Sequence, residues 1–144
     1  MATYREYSFP DDLYYHKDHT WVRPAADGTV TIGMNEFYVK GAGDTTYIDL
    51  PFEGDEVSAG ETIGKLQSVK WVGNLVAPLS GEILSVNEAL EDDSTLVNTD
   101  PYGDGWILTM TPADLDGELA GLMHGSGLRE WIEAEITRLD AETL

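Results

Sequence analysis

The chain has 144 residues, 42% of them hydrophobic and 10% aromatic, which suits one domain with a buried core and argues against global disorder. Eight Lys and Arg against 27 Asp and Glu leave a formal net charge of −19, which repels phosphate backbones and speaks against a nucleic-acid partner. No cysteine is present, so disulfides, thiol catalysis and thiolate metal sites are excluded, and any sulfur chemistry must come on a cofactor.

The acidic balance favours partners with basic docking surfaces, although a soluble acidic exterior of a saline habitat would account for most of it. The first residues, MATYREYSFPDDLYYHKDH, lack an apolar core of signal-peptide length, and no run is long enough to span a membrane. A cytoplasmic protein without a membrane partner is expected.

Residues 1–12 are polar and aromatic with Pro10 and read as an N-terminal arm, leaving a single domain over 13–144. HTWVRP and the alternating TVTIGM flank the turn Ala26-Asp27-Gly28, a hairpin pattern. NEFYVKGAG, residues 35–43, predicts one or two helical turns stopped by Gly41 or Gly43. TTYIDL predicts a strand closed by Pro51.

EGDEVSAGETIGKLQS places turns at Gly54-Asp55 and Ala59-Gly60, and WVGNLVAP and GEILSVNEAL continue with short β-prone pieces. Gly60, Lys70 and Gly81 are spaced ten and then eleven residues apart, so two similar strand–turn–strand units flank Lys70. Strands this short and this closely spaced predict a barrel or sandwich rather than βαβ units. NTDPYGDGW is a turn cluster, and WILTMT is the strand after it. From about residue 113 to 144 the texture is helical. ADLDGELAGLM forms a short helix, Gly125 and Gly127 a link, and Leu128, Trp131, Ile132, Ile136 and Leu139 the apolar face of a C-terminal amphipathic helix.

Lys70 is the candidate functional residue. A lysine that carries a swinging group must be reachable by a ligase and rooted on a rigid support. GlnSerValLys ends one strand and Trp-Val-Gly-Asn begins the next, so Lys70 falls at a tight turn, with Gly73 to ease the backbone. His16 and His19 stand three residues apart, which on a strand would place them on opposite faces; no third ligand lies near in sequence, and no metal site is expected. His124 lies in the Gly-rich link. No nucleophile–base pair or phosphate loop stands out, so no catalytic residue is assigned.

Taken in order, GDEVSAG, SVK, VAPLSGEI, VNEALEDD and DPYGDGW resemble the glycine-cleavage H-protein family, from about Tyr14 to beyond Pro112. The resemblance implies a mainly β barrel-sandwich hybrid of the lipoyl/biotinyl-carrier type, with a short helix after the first hairpin and a C-terminal helix. It implies a non-enzymatic carrier with lipoate in amide linkage to Lys70, placed there by a lipoate–protein ligase. Biotinyl carriers share the fold but usually have methionines beside their lysine, where Val69 and Trp71 stand here.

The family commonly reads HEW at the early strand, ESVK at the lysine, and has an acid a few residues on. Here Thr20 follows His19, Gln67 precedes Ser68, and Asn74 stands at the acid's place, with Trp71 and Gly73 in positions usually Ala and Ser. His19, Thr20, Gln67, Ser68, Val69, Trp71, Gly73 and Asn74 are the expected surroundings of the arm. The aminomethyl cargo of glycine cleavage carries a cationic amine that acids suit. Their replacement by neutral residues, with Trp71 beside the lysine, resembles the lipoate-binding proteins that serve a heterodisulfide-reductase-like sulfur-oxidising complex. Sulfur cargo is therefore the leading expectation. Glycine cleavage enzymes as partners are the alternative, and an unmodified interaction module is a second. A carrier that visits several partners is expected to be a monomer.

Overall fold

The computed structural model describes residues 2–4, 7–9, 13–16, 19–70, 72–123 and 130–135. Within residues 1–12, β1 (Ala2–Tyr4) and β2 (Tyr7–Phe9) pair as an antiparallel hairpin. The domain proper is built from two antiparallel sheets. The larger has six strands in the order β3 (Tyr14–Tyr15), β4 (Thr20–Pro24), β5 (Val30–Met34), β11 (Leu108–Pro112), β10 (Gly81–Val86) and β7 (Glu56–Val57). The smaller has three, β6 (Thr45–Asp49), β8 (Thr62–Ser68) and β9 (Val72–Val76), with β8 in the centre. Neither sheet closes into a barrel, and the mainly β barrel-sandwich architecture read from the sequence is borne out.

The β4–β5 hairpin forms as its alternation predicts. Val22 pairs with Ile32 and Trp21 with Gly33, so successive residues point to opposite faces. Val22 and Ile32 enter the main core, where Ile48, Leu66 and Leu75 of the smaller sheet meet them. Trp21 faces the other way, into a second cluster with Leu13, Tyr15, Phe37 and Ile132. Gly33 is dictated by that ring: a methyl group there would stand 2.6 Å from the Trp21 indole carbons. Ile132 belongs to helical residues 130–135, so this part of the predicted C-terminal helix covers the outer face of the larger sheet. Leu128, Ile136, Leu139, His124, Gly125 and Gly127 lie outside the described residues.

Helix α1 (Glu36–Ala42) occupies the predicted NEFYV segment. Asn35 caps its start by accepting from the Tyr38 backbone N–H at 2.9 Å, and Gly43, at φ 78°, ends it. Asn98 then fixes the exit from the helix. Its amide donates to the carbonyls of Val39 and Gly43 at 2.9 and 2.8 Å, and its oxygen accepts from the Thr45 N–H at 2.9 Å.

The stretch after β10 differs from the β-prone expectation. Helical turns α2 (Ala89–Asp92) and α3 (Leu96–Thr99) stand there, followed after β11 by α4 (Leu115–Leu119). Asn87 stops the strand: its amide donates to the carbonyls of Asp104 and Trp106, and its oxygen accepts from the Ala89 N–H. Leu90 and Val97 then bury themselves in the main core, and that tertiary packing overrides the local pattern.

Candidate functional site

Lys70 is exposed between β8 and β9, at the tip of the hairpin that carries it. Register assigns its neighbours to faces. Tyr47, Gln67 and Val72 stand opposite one another across β6, β8 and β9, and so do Asp49, Lys65 and Asn74. All six are exposed, so these rows form the outward face of the smaller sheet. The row between them, Ile48, Leu66 and Gly73, points inward.

The inward face of the hairpin rests on α1. A side chain at Gly73 would collide with the Tyr38 hydroxyl, so glycine at this position lets the helix approach β9. Near the tip, a methyl group on Gly43 would stand 2.6 Å from a Val69 methyl. The Lys70 turn is thus rooted on a capped helix, while its tip is open. Val69 and Val72 are 67% and 68% exposed on either side.

Behind Tyr38 lies a polar relay. The His19 ring packs against the Tyr38, Phe37 and Trp131 rings at centroid distances of 5.6, 5.8 and 5.2 Å. Because the Asn35 oxygen is committed to the helix cap, its Nδ2 is the atom turned to His19 Nδ1, at 3.2 Å. That nitrogen therefore accepts, the imidazole proton resides on Nε2, and Nε2 donates to Glu135 at 3.1 Å. Burial pushes the Tyr38 phenol above its ordinary value, which keeps it neutral in this contact.

The expected arm surroundings are therefore divided. Gln67 and Asn74 lie on the outward face, Gly73 on the inward face, and Val69 at the tip; Ser68 is half-buried at the end of β8. His19 is buried and packs on Tyr38, whose hydroxyl meets the hairpin at Gly73. Thr20 is buried in β4, and its hydroxyl lacks a hydrogen-bond partner among the described residues. Trp71 lies outside the described residues.

His16 and His19 do not share a strand as their spacing suggested. They stand in the turn between β3 and β4, where His16 N–H donates to Thr20, His19 N–H donates to His16, and His19 has φ 77°. Among the described residues no group of three or more His, Asp or Glu side chains is arranged to hold a metal ion. No described helix is long and apolar enough to cross a membrane.

Sequence reasoning missed Tyr38, Asn35 and Glu135. Asn35 carries a local signal, since Asn before a helical segment is a cap. Glu135 carries none, being 116 residues from its partner.

The family model for the glycine cleavage H-protein matches residues 13–135. The chain belongs to the glycine cleavage H-protein family. A probable glycine cleavage system H protein of Thermococcus gammatolerans is 43% identical over 134 residues, 93% of this chain and 99% of that protein. A glycine cleavage system H protein of Marinobacter nauticus is 44% identical over 126 residues, 88% of this chain and 96% of that one. The crystal structure of a glycine cleavage system H protein from Mycobacterium marinum superposes with a TM-score of 0.70 at 40% identity, covering 78% of this chain and 97% of its own. Family members are non-catalytic carriers with lipoate attached covalently to a lysine.

These matches correct the expectation of sulfur cargo. Relatives at 43–44% identity over most of the chain are glycine cleavage H proteins by name, and a sulfur-oxidising complex as partner finds no support among them. The inference failed because it counted acids in the neighbouring sequence. Gln67 and Asn74 turn to the outward sheet face, away from α1, so their neutrality does not report on the inward side of the arm hairpin.

Proposed function

We propose that this chain is a glycine cleavage H-protein in the strict sense, lipoylated on Lys70 and passing an aminomethyl cargo between the enzymes of glycine cleavage. The observation that carries this is the name shared by relatives that align along nearly their whole length. Lys70 fits the attachment on physical grounds. It is exposed, it stands at the tip of a two-strand turn, and that turn is braced by α1 through Tyr38 and Val69. When bound, lipoate supplies a dithiol/disulfide couple that a cysteine-free chain lacks.

The remaining work belongs to the chain's own residues. The β8–β9 turn fixes the root of the arm, so that partner enzymes meet it in one place. Asn35 fixes the His19 tautomer, and His19 orients Glu135 by donating from Nε2. Gln67 and Asn74 lie on the outward sheet face and Thr20 is buried in β4, so their neutrality does not speak against a cationic amine on the arm.

The test is intact mass and peptide mapping of the protein from its native host, repeated after incubation with glycine and the glycine-decarboxylating enzyme of the same system. A lipoyl increment on Lys70 that gains an aminomethyl increment with glycine is the expected result. An unmodified Lys70, in cells that lipoylate their other carriers, overturns the assignment. A lipoylated protein that never accepts the aminomethyl group overturns the cargo.

A further inference from the structure

Four of the five large hydrophobic residues exposed among the described residues cluster on the arm-bearing half. Val69 and Val72 flank Lys70, Tyr47 is 55% exposed on β6, and Phe52, just beyond β6, is 77% exposed. The fifth, Leu84, is 41% exposed on β10 of the other sheet. Tyr47 and Val72 belong to one row across the outward face, joined by the neutral Gln67, and the next row carries Asp49, Lys65 and Asn74. On a chain of net charge −19, the Tyr47–Gln67–Val72 row carries no charge of its own.

The patch runs into a groove of about 770 Å³ beside β6, an edge strand whose only strand neighbour among the described residues is β8. Tyr47 and Phe52 line the groove, with Asp49, Glu53, Glu88 and Glu91 around them and no Lys or Arg. At one end Asn98 and Ser94 seal the edge by bonding the Thr45 N–H and carbonyl. From Thr46 to Asp49 the strand lines the groove. Tyr47 stands opposite Gln67, three residues before Lys70, so the near end of the groove is about 10 Å along the strand from the root of the arm.

An aromatic and aliphatic centre beside a groove whose charged lining is all acidic has the anatomy of a protein-docking face, and it favours a basic complement. We propose that the outward face of the β6–β8–β9 sheet and the adjoining groove are the docking surface for the enzyme that loads the arm. That enzyme meets the surface with an apolar centre rimmed by lysine and arginine. The proposal rests on Lys70 being the attachment site, because docking here presents the lysine turn at the edge of the contact. Phe52 and Tyr47 supply the apolar anchor, and Glu53 and Glu88 steer the encounter.

The test uses full-length lipoylated carrier, verified by mass, as the varied substrate of the glycine-decarboxylating enzyme of the same system. The carriers are the native chain, a Tyr47→Ser/Phe52→Ser double variant, a Glu53→Lys/Glu88→Lys double variant, and Leu84→Ser as a control on the other sheet. Loss of the anchor is expected to raise KM about tenfold or more while kcat stays within about twofold. Charge reversal is expected to raise KM at low salt and to flatten its salt dependence. Leu84→Ser should match the native chain.

Native-like KM in both double variants overturns the docking surface while leaving the Lys70 assignment intact. A fall in kcat at constant KM also overturns it, since that pattern belongs to positioning of the arm. A native chain that is lipoylated yet not loaded defeats the functional assignment and the docking surface with it. Sedimentation of the native chain as a dimer that Tyr47→Ser/Phe52→Ser dissociates would give the patch to a second copy of this chain, and so overturn the assignment to an enzyme.

Discussion

Trp21 and Lys70 stand on two halves of one scaffold that treat their side chains in opposite ways. Trp21 is fully buried; its indole N–H donates to the Pro101 carbonyl at 3.1 Å, and the Arg23 guanidinium lies 4.8 Å over its ring. Gly33 across the strand pair leaves room for that ring alone. Lys70 is exposed between two exposed valines, and the contacts that hold its hairpin lie behind it, at Gly73, Tyr38 and Gly43. The six-stranded half is thus specified by what its residues touch. The arm hairpin is specified by what its tip leaves open, with rigidity supplied from below. Substitutions can test this division in order of expected effect.

The largest effect should come from the buried half. Trp21→Ala removes the centre of the second cluster and leaves Phe37, Tyr15 and Ile132 around a cavity. It should lower unfolding free energy in denaturant by about 3–5 kcal/mol. A loss under about 1 kcal/mol would mean that the outer cluster contributes little, and that the contrast between the halves is overstated.

An intermediate effect is expected where the halves meet. Gly73→Ala places a methyl group into the Tyr38 hydroxyl and pushes β9 off α1. Overpacking of this kind costs about 1–3 kcal/mol. Tyr38→Phe removes the closest colliding atom but leaves the ring carbon Cζ 2.8 Å away, so the double variant should recover part of that loss, and the two changes should not be additive. Equal losses from Gly73→Ala with Tyr or Phe at 38 would locate the strain elsewhere and leave the hairpin without its brace.

The sequence shows the buried half more plainly than the site. TVTIGM alternates because one face of β5 is core, and the Asn35 and Gly43 ends of α1 follow from cap chemistry that acts within a few residues. Lys70 at a turn was equally local. Asn87, Asn98 and Glu135 were not legible, because each bonds to groups far along the chain, and nothing in their flanks specifies the partner. The same limit explains the mistaken cargo. Gln67 and Asn74 are close to Lys70 in sequence, but strand alternation turns them outward.

The smallest stability effect should be at the residue of greatest functional consequence. Lys70→Arg keeps the charge and the exposed stem, and nothing packed is lost at the tip, so unfolding free energy should change by no more than about 0.5 kcal/mol. Yet a guanidinium stays protonated and offers no amine for an amide bond, so the lipoyl increment should vanish from the intact mass. Stability unchanged with modification abolished is the pattern of a residue kept for what is attached to it. A destabilisation comparable to that of Gly73→Ala would instead make Lys70 part of the brace, and the open tip would have to be redrawn as a packed one.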